Sequence, residues 1–142
     1  MRTCGCHFTI MTPEAYISSQ PEERQSILSS IHDIIINTDK SIVAEVGTMM
    51  SKQMILYKDR QVFKYGLASV KEYMSLHLMP MYGSPVIYGK YFKLLEKAKF
   101  QKGCINFKTA DAMPLSIVKE LIADCAPVDL IAMIEKMRAS RK

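Results

Sequence analysis

The sequence predicts an α+β domain in which a small antiparallel sheet carries helices on one face. Three observations lead there. Apolar residues recur at helical spacing toward both ends of the chain, apolar and polar residues alternate in its middle, and the alternating segments are grouped rather than separated one by one by helices. Grouped strands pair antiparallel, and such a sheet leaves its second face at least partly open.

Taken in order, Thr12-Pro13-Glu14 marks a helix start, with a capping hydroxyl, a proline at the first helical position and an acid in the first turn. This first helix is short and runs through Ser18. Gln20-Pro21-Glu22-Glu23 repeats the signal and opens a longer helix. Ile27, Leu28, Ile31, Ile34 and Ile35 make its apolar stripe, and Asn37-Thr38-Asp39 ends it. Ile42 to Val46 reads as either a strand or a turn of helix. Met54-Ile55-Leu56-Tyr57 and Val62-Phe63-Lys64-Tyr65 flank a polar turn and predict a hairpin. From Tyr73 to Met79 the chain alternates, with Met74, Leu76 and Leu78 on one face and Tyr73, Ser75 and His77 on the other. Pro80 stops that strand. A turn-rich loop over Met81 to Pro85 leads to a helix expected from Val86 to Ala98. Gly103 then introduces the strand Cys104 to Lys108, whose Ile105 and Phe107 point to the core. Helices opening at Pro114 and Pro127 close the chain, with Leu115, Val118, Leu121, Ile122 and Cys125 as the inner face of the first.

Composition limits the function classes. The chain has 142 residues, enough for one domain with a real core, here placed at 12–142 behind a loose leader at 1–11. Of its residues 49% are hydrophobic and 23% charged, as in ordinary globular proteins. No run of 18 apolar residues occurs, so no membrane partner is expected. The start lacks the apolar stretch of a signal peptide, which predicts a cytoplasmic protein. The net charge of +5 is spread along the chain rather than gathered in a block, so nucleic acid is not the expected partner. In that setting the four cysteines read as reduced thiols, and Cys104 and Cys125 as small core residues. Cys4-Gly5-Cys6-His7 has metal-binding chemistry but no second ligand cluster to complete a tetrahedral site. No phosphate loop, dinucleotide fingerprint, metalloprotease helix or paired Cys-x-x-Cys is present.

The candidate site is the open sheet face together with the Met81 to Pro85 loop. His77 is its leading residue, because a neutral imidazole can accept, donate or ligate near physiological pH. Tyr73, Ser75 and Asn106 share that face by alternation, and Tyr57 and Tyr65 add aromatic rings from the hairpin. Glu45, set between Ala44 and Val46, needs exposure or a cationic partner such as Lys52 or Lys64.

Several stretches resemble the YdhG-like family. They are Tyr16-Ile17-Ser18-Ser19-Gln20-Pro21-Glu22-Glu23-Arg24, Tyr73-Met74-Ser75-Leu76-His77-Leu78-Met79-Pro80, Lys102-Gly103-Cys104-Ile105-Asn106-Phe107-Lys108, and Pro114-Leu115-Ser116-Ile117-Val118-Lys119-Glu120-Leu121-Ile122. Their order and spacing span Thr12 to Ala126. The resemblance implies a compact, frataxin-like two-layer sandwich. It places Glu45 at an acid typical after the first long helix and His77 in the matching strand. Some relatives are regarded as intracellular iron chaperones, which would make iron the cargo and Glu22, Glu23 and Asp33 its metal ligands here. The expected function is therefore non-enzymatic binding of a small ligand, a metal or a protein. The alternatives are an interaction module acting as a homodimer, or a small enzyme using His77 as base.

Overall fold

A computed structural model describes residues 11–101 and 103–140. The leader segment with Cys4, Cys6 and His7 lies outside the described residues. Thr12 caps helix α1 (Pro13–Ser18) by accepting the Ala15 amide at 3.1 Å. Helix α2 (Glu22–Thr38) follows and buries Ile27, Leu28, Ile31, His32 and Ile35. Strands β1 (Val43–Met49), β2 (Lys52–Asp59), β3 (Val62–Ser69) and β4 (Met74–Leu78) come next. Then come the one-turn helix α3 (Met79–Tyr82), helix α4 (Pro85–Leu94), strands β5 (Lys99–Gln101) and β6 (Cys104–Phe107), and helices α5 (Leu115–Cys125) and α6 (Leu130–Ala139).

The six strands form one antiparallel sheet in the order β1-β2-β3-β4-β6-β5. The α+β architecture is the one the grouped strands predict. The ambiguous stretch after Ile42 is strand β1. The helix predicted over Val86 to Ala98 stops at Leu94, and β5 begins at Lys99. Three residues with Lys99 and Gln101 exposed are too short to show a period in sequence; pairing with β6 makes them a strand. Met79-Pro80 opens α3 rather than ending a strand in a loop, since proline fits a helix's first turn.

The main core lies between the sheet and helices α1, α2, α4 and α5. Ile55, Leu67, Leu76 and Ile105 meet Leu28, Ile31, Val118 and Ile122 there, all fully buried. Each such side chain contributes about 1.5–3 kcal/mol relative to exposure. A smaller cluster of Met54, Leu56 and Ala68, packed with Met49 and Phe63, covers part of the opposite face.

Two local features shape the sheet. The β2–β3 register shifts between Tyr57 and Lys58, leaving Lys64 as an extra residue on β3. This bulge sends Lys64 and Tyr65 both to the helical side and turns Phe63 to the other face. There the buried Asp39 carboxylate accepts Lys64 Nζ at 2.7 Å and Tyr65 Oη at 2.6 Å, and Ser41 donates to its other oxygen from both hydroxyl and amide. Lys64 also donates to the Ala126 carbonyl, tying the sheet to the end of α5. Burial alone pushes the Asp39 carboxyl up. The hydrogen bonds from Lys64, Ser41 and Tyr65 outweigh burial and hold it below the usual carboxylate range.

The second feature is a pair of two-residue hairpin turns. Met50 and Ser51, and likewise Arg60 and Gln61, all have φ between 51° and 70°. Such turns suit the right-handed twist of the strands but favour Asn and Gly. Replacing Gln61 by Gly therefore raises unfolding stability by about 0.5–1 kcal/mol, because the left-handed conformation no longer strains a Cβ. Urea denaturation of the variant against the native chain measures it.

Candidate functional site: a cavity on the open sheet face

Strand alternation and register build the site. On β4, Met74, Leu76 and Leu78 enter the helical core, so Ser75 and His77 face the other way. His77 stands between Gly66 of β3 and Cys104 of β6, and Ser75 between Ala68 and Asn106. Asn106 is followed across the sheet by Lys99, and Cys104 by Gln101. Gly66 has no side chain for a reason: a Cβ there would meet the Phe63 ring at 2.9 Å. The ring lies over the glycine and forms part of the cavity's apolar lining.

The surface is concave rather than flat. Met49, Met50 and Lys52 rise at the first hairpin, Phe63 from the bulged strand, and Met79 and Tyr82 around α3. They enclose a cavity of about 520 Å³ together with Tyr73, Ser75, His77, Cys104 and Asn106. That size suits a small organic ligand. A second hollow of about 460 Å³ adjoins it, sharing Tyr73, Gln101 and Asn106 and bordered by Lys97, Lys99 and Lys108.

The polar groups of the cavity are sparse and specific. The Ser75 hydroxyl lies 3.3 Å from His77 Nε2. Burial, and secondarily the nearby Lys52 ammonium, lowers the His77 pKa, so its imidazole is neutral at neutral pH. Burial pushes the Cys104 thiol up despite a hydrogen bond with Ser75 and the field of Lys52, so it stays protonated. Lys52 Nζ lies 5.8 Å from the centre of the Tyr73 ring and 3.5 Å from its hydroxyl. Asn106 is 9% exposed, and its Oδ1 is buried without a hydrogen-bond partner. An unpaired buried acceptor costs about 1–3 kcal/mol. Tyr73 is positioned from behind. Arg24 of α2 reaches the β3–β4 turn and donates to Ser69 Oγ and to the carbonyls of Val70 and Lys71.

Of the residues singled out from sequence, the structure brings together His77, Tyr73, Ser75 and Asn106. Tyr57 and Tyr65 belong elsewhere. Both are fully buried on the helical face, where Tyr57 Oη pairs with His32 Nδ1 at 2.7 Å and Tyr65 Oη with Asp39. Their rings are core, and their hydroxyls are already occupied. Glu45 lies outside the cavity and pairs with Lys58 at 3.5 Å, rather than with Lys52 or Lys64. Cross-strand proximity in the β1–β2 hairpin explains that choice, and the bulge takes Lys64 to Asp39. Cys125 is core, whereas Cys104 is half-buried and lines the cavity. Glu22 and Glu23 are exposed on the first turn of α2, and Asp33 sits eleven residues beyond Glu22, about 16 Å along the axis at 1.5 Å per residue. These acids do not converge, and among the described residues no group of three or more His, Cys, Asp or Glu side chains could hold a metal ion.

Sequence reasoning missed most of the cavity's apolar wall. Phe63 belongs to a strand, but only the bulge reveals its face, and Met79 arrives through a helix that the sequence presented as a strand end; Tyr82 comes from the Met81 to Pro85 stretch expected beside the site, here in part helix α3. Among the described residues no helix is long and apolar enough to cross a membrane. Comparison with family models, curated proteins and solved structures finds no match to this chain.

Proposed function

We propose that this chain is a non-enzymatic binding domain of the YdhG-like type that takes a small molecule into the open-face cavity. One observation carries the reading: a cavity of about 520 Å³ joins an apolar wall to the polar side chains of Tyr73, Ser75, His77 and Asn106. A ligand's hydrogen-bonding atoms meet those polar side chains, while Met49, Phe63, Met79 and Tyr82 receive its apolar surface. An iron-carrying role for Glu22, Glu23 and Asp33 has no converging donor set behind it.

The cavity also supports a second, weaker reading as an enzyme, because neutral His77 is a competent base within reach of the Ser75 hydroxyl. No carboxylate among the described residues bonds to His77 to orient it, and Cys104 is a protonated thiol. Binding therefore accounts for more of the geometry than catalysis does.

A fragment screen by thermal shift tests the proposal, with Fe(II) titrated in parallel. Ligand binding to the folded state stabilises it by about 2.7 kcal/mol at a hundredfold excess over Kd. Val70 lines the cavity and is partly exposed, so Val70→Trp fills the space with little cost to the fold. Fragments that stabilise the native chain should lose their effect in this variant. An absence of stabilising fragments, or hits indifferent to Val70→Trp, would overturn the assignment.

A further inference from the structure

We infer that the ligand is an amphipathic anion: an apolar, donor-bearing body seated in the larger cavity, with one acidic group held at the adjoining hollow between Lys99 and Lys108. This rests on the binding role proposed above and names the class of molecule bound. Three independent features specify it.

The first is the division of the lining. The larger cavity presents Met49, Met50, Phe63, Val70, Met79 and Tyr82 around a narrow polar floor. Methionine and aromatic walls accept a bulky apolar body of varied outline.

The second is the polar group at the junction. Asn106 borders both hollows, and its side-chain amide is the hydrogen-bonding group where they meet. A ligand crossing that junction places its hydrogen-bonding atom between its apolar and charged ends.

The third is charge. Lys99 pairs with Asn106 across β5–β6, and Lys108, just past the end of β6, borders the same hollow. Lys52 lines the larger cavity beside Tyr73. None of these lysines enters an ion pair among the described residues, whereas Lys58, Lys64, Lys90 and Lys97 all do. The acids bordering the adjoining hollow are Glu72 and Asp111, and Asp111 is engaged by Lys97 and Thr109. No carboxylate lines the larger cavity. Neutral His77 fits this surplus of positive potential, since an added proton there meets both desolvation and Lys52. A ligand with one carboxylate, phosphate or sulfonate complements the surface. Among the described residues a cation meets three unpaired ammonium groups against one unpaired carboxylate, Glu72.

The experiment compares two fluorescent probes that differ in a single group. 8-Anilinonaphthalene-1-sulfonate carries an aromatic body, one N–H donor and an anionic group; N-phenyl-1-naphthylamine has the same body and donor without the charge. Both are titrated into the folded full chain, into Val70→Trp and into the double variant Lys99→Ala/Lys108→Ala, with circular dichroism checking that each variant is folded. The anionic probe should bind about tenfold more tightly than the neutral one, a ratio one charge-assisted hydrogen bond supplies. The double lysine variant should bring it down to the neutral probe's affinity, and added salt should weaken only the anionic probe. Equal affinity for the two probes, unaltered by the lysine replacements but abolished by Val70→Trp, would overturn the anionic assignment while leaving the binding cavity in place. Failure of both probes to bind, or binding that ignores Val70→Trp, would remove the cavity reading and this inference with it.

Discussion

Replacing Lys64 by methionine lowers the thermal midpoint by about 10–15 °C, the largest single effect expected in this molecule outside its apolar core. Lys64 is fully buried and Asp39 is 2% exposed, so neither charge has water to fall back on. Methionine fills the same volume but removes the ammonium. Asp39 then keeps only neutral donors, Tyr65 and Ser41. Leaving one partner of a buried ion pair uncompensated costs about 3–5 kcal/mol. The pH dependence identifies the cause. In the native chain Asp39 titrates below its unfolded value of about 3.9, so its contribution is fully present above that value and is lost as pH falls through the folded pKa. Without Lys64, desolvation dominates and the folded pKa rises above the unfolded one, so the sign reverses. The variant regains stability on going from pH 7 toward pH 4, where the native chain gains nothing. Thermal unfolding of both proteins at those two pH values decides the matter, and parallel pH profiles would show that Asp39 is not the group responsible.

Asn106→Leu should produce the opposite pairing of effects: a more stable protein that binds worse. Leucine has the same branching and number of side-chain heavy atoms as asparagine, and the residue occupies β6 beside Ser75 and Lys99. Removing a buried acceptor that has no partner recovers about 1–2 kcal/mol of its desolvation cost. The same change takes the side-chain amide away from the junction of the two hollows that Asn106 borders. Affinity for the anilinonaphthalene probe should fall about tenfold, in line with the loss of one buried hydrogen bond. Guanidinium unfolding and probe titration read the two effects separately. A destabilised variant with unchanged affinity would show that Asn106 serves the fold and not the ligand. Sites that trade stability for function in this manner are a recurrent feature of binding proteins.

Much of the site's composition was legible because strand alternation is a strict rule. Once Met74, Leu76 and Leu78 are assigned to the core, Ser75 and His77 must face away, and the same parity places Asn106 and Cys104 opposite Ile105 and Phe107. The rule fails at the bulge. Counting by twos from Val62 to Tyr65 cannot show that Lys64 is an inserted residue, so the positions of Phe63, Lys64 and Tyr65 relative to the two faces were not recoverable from spacing. Tyr57 and Tyr65 were misplaced for a related reason. A tyrosine reads equally as a binding-site aromatic or as a core ring with its hydroxyl satisfied, and only His32 and Asp39, 25 and 26 residues away in sequence, show that the second applies.

The sequence by itself determined the class of fold, the helix starts at Thr12 and Pro21, and the parity of β4 and β6, because these follow from capping chemistry and from periods of 3.6 and 2 that need no distant partner. The tertiary structure alone decided that the open face is a cavity, that β5 exists, that Lys64 pairs with Asp39 and Lys58 with Glu45, and that Asn106 is left with an unpaired oxygen. Each of these depends on which segments meet across the sheet, and chain separation hides such meetings from any local pattern.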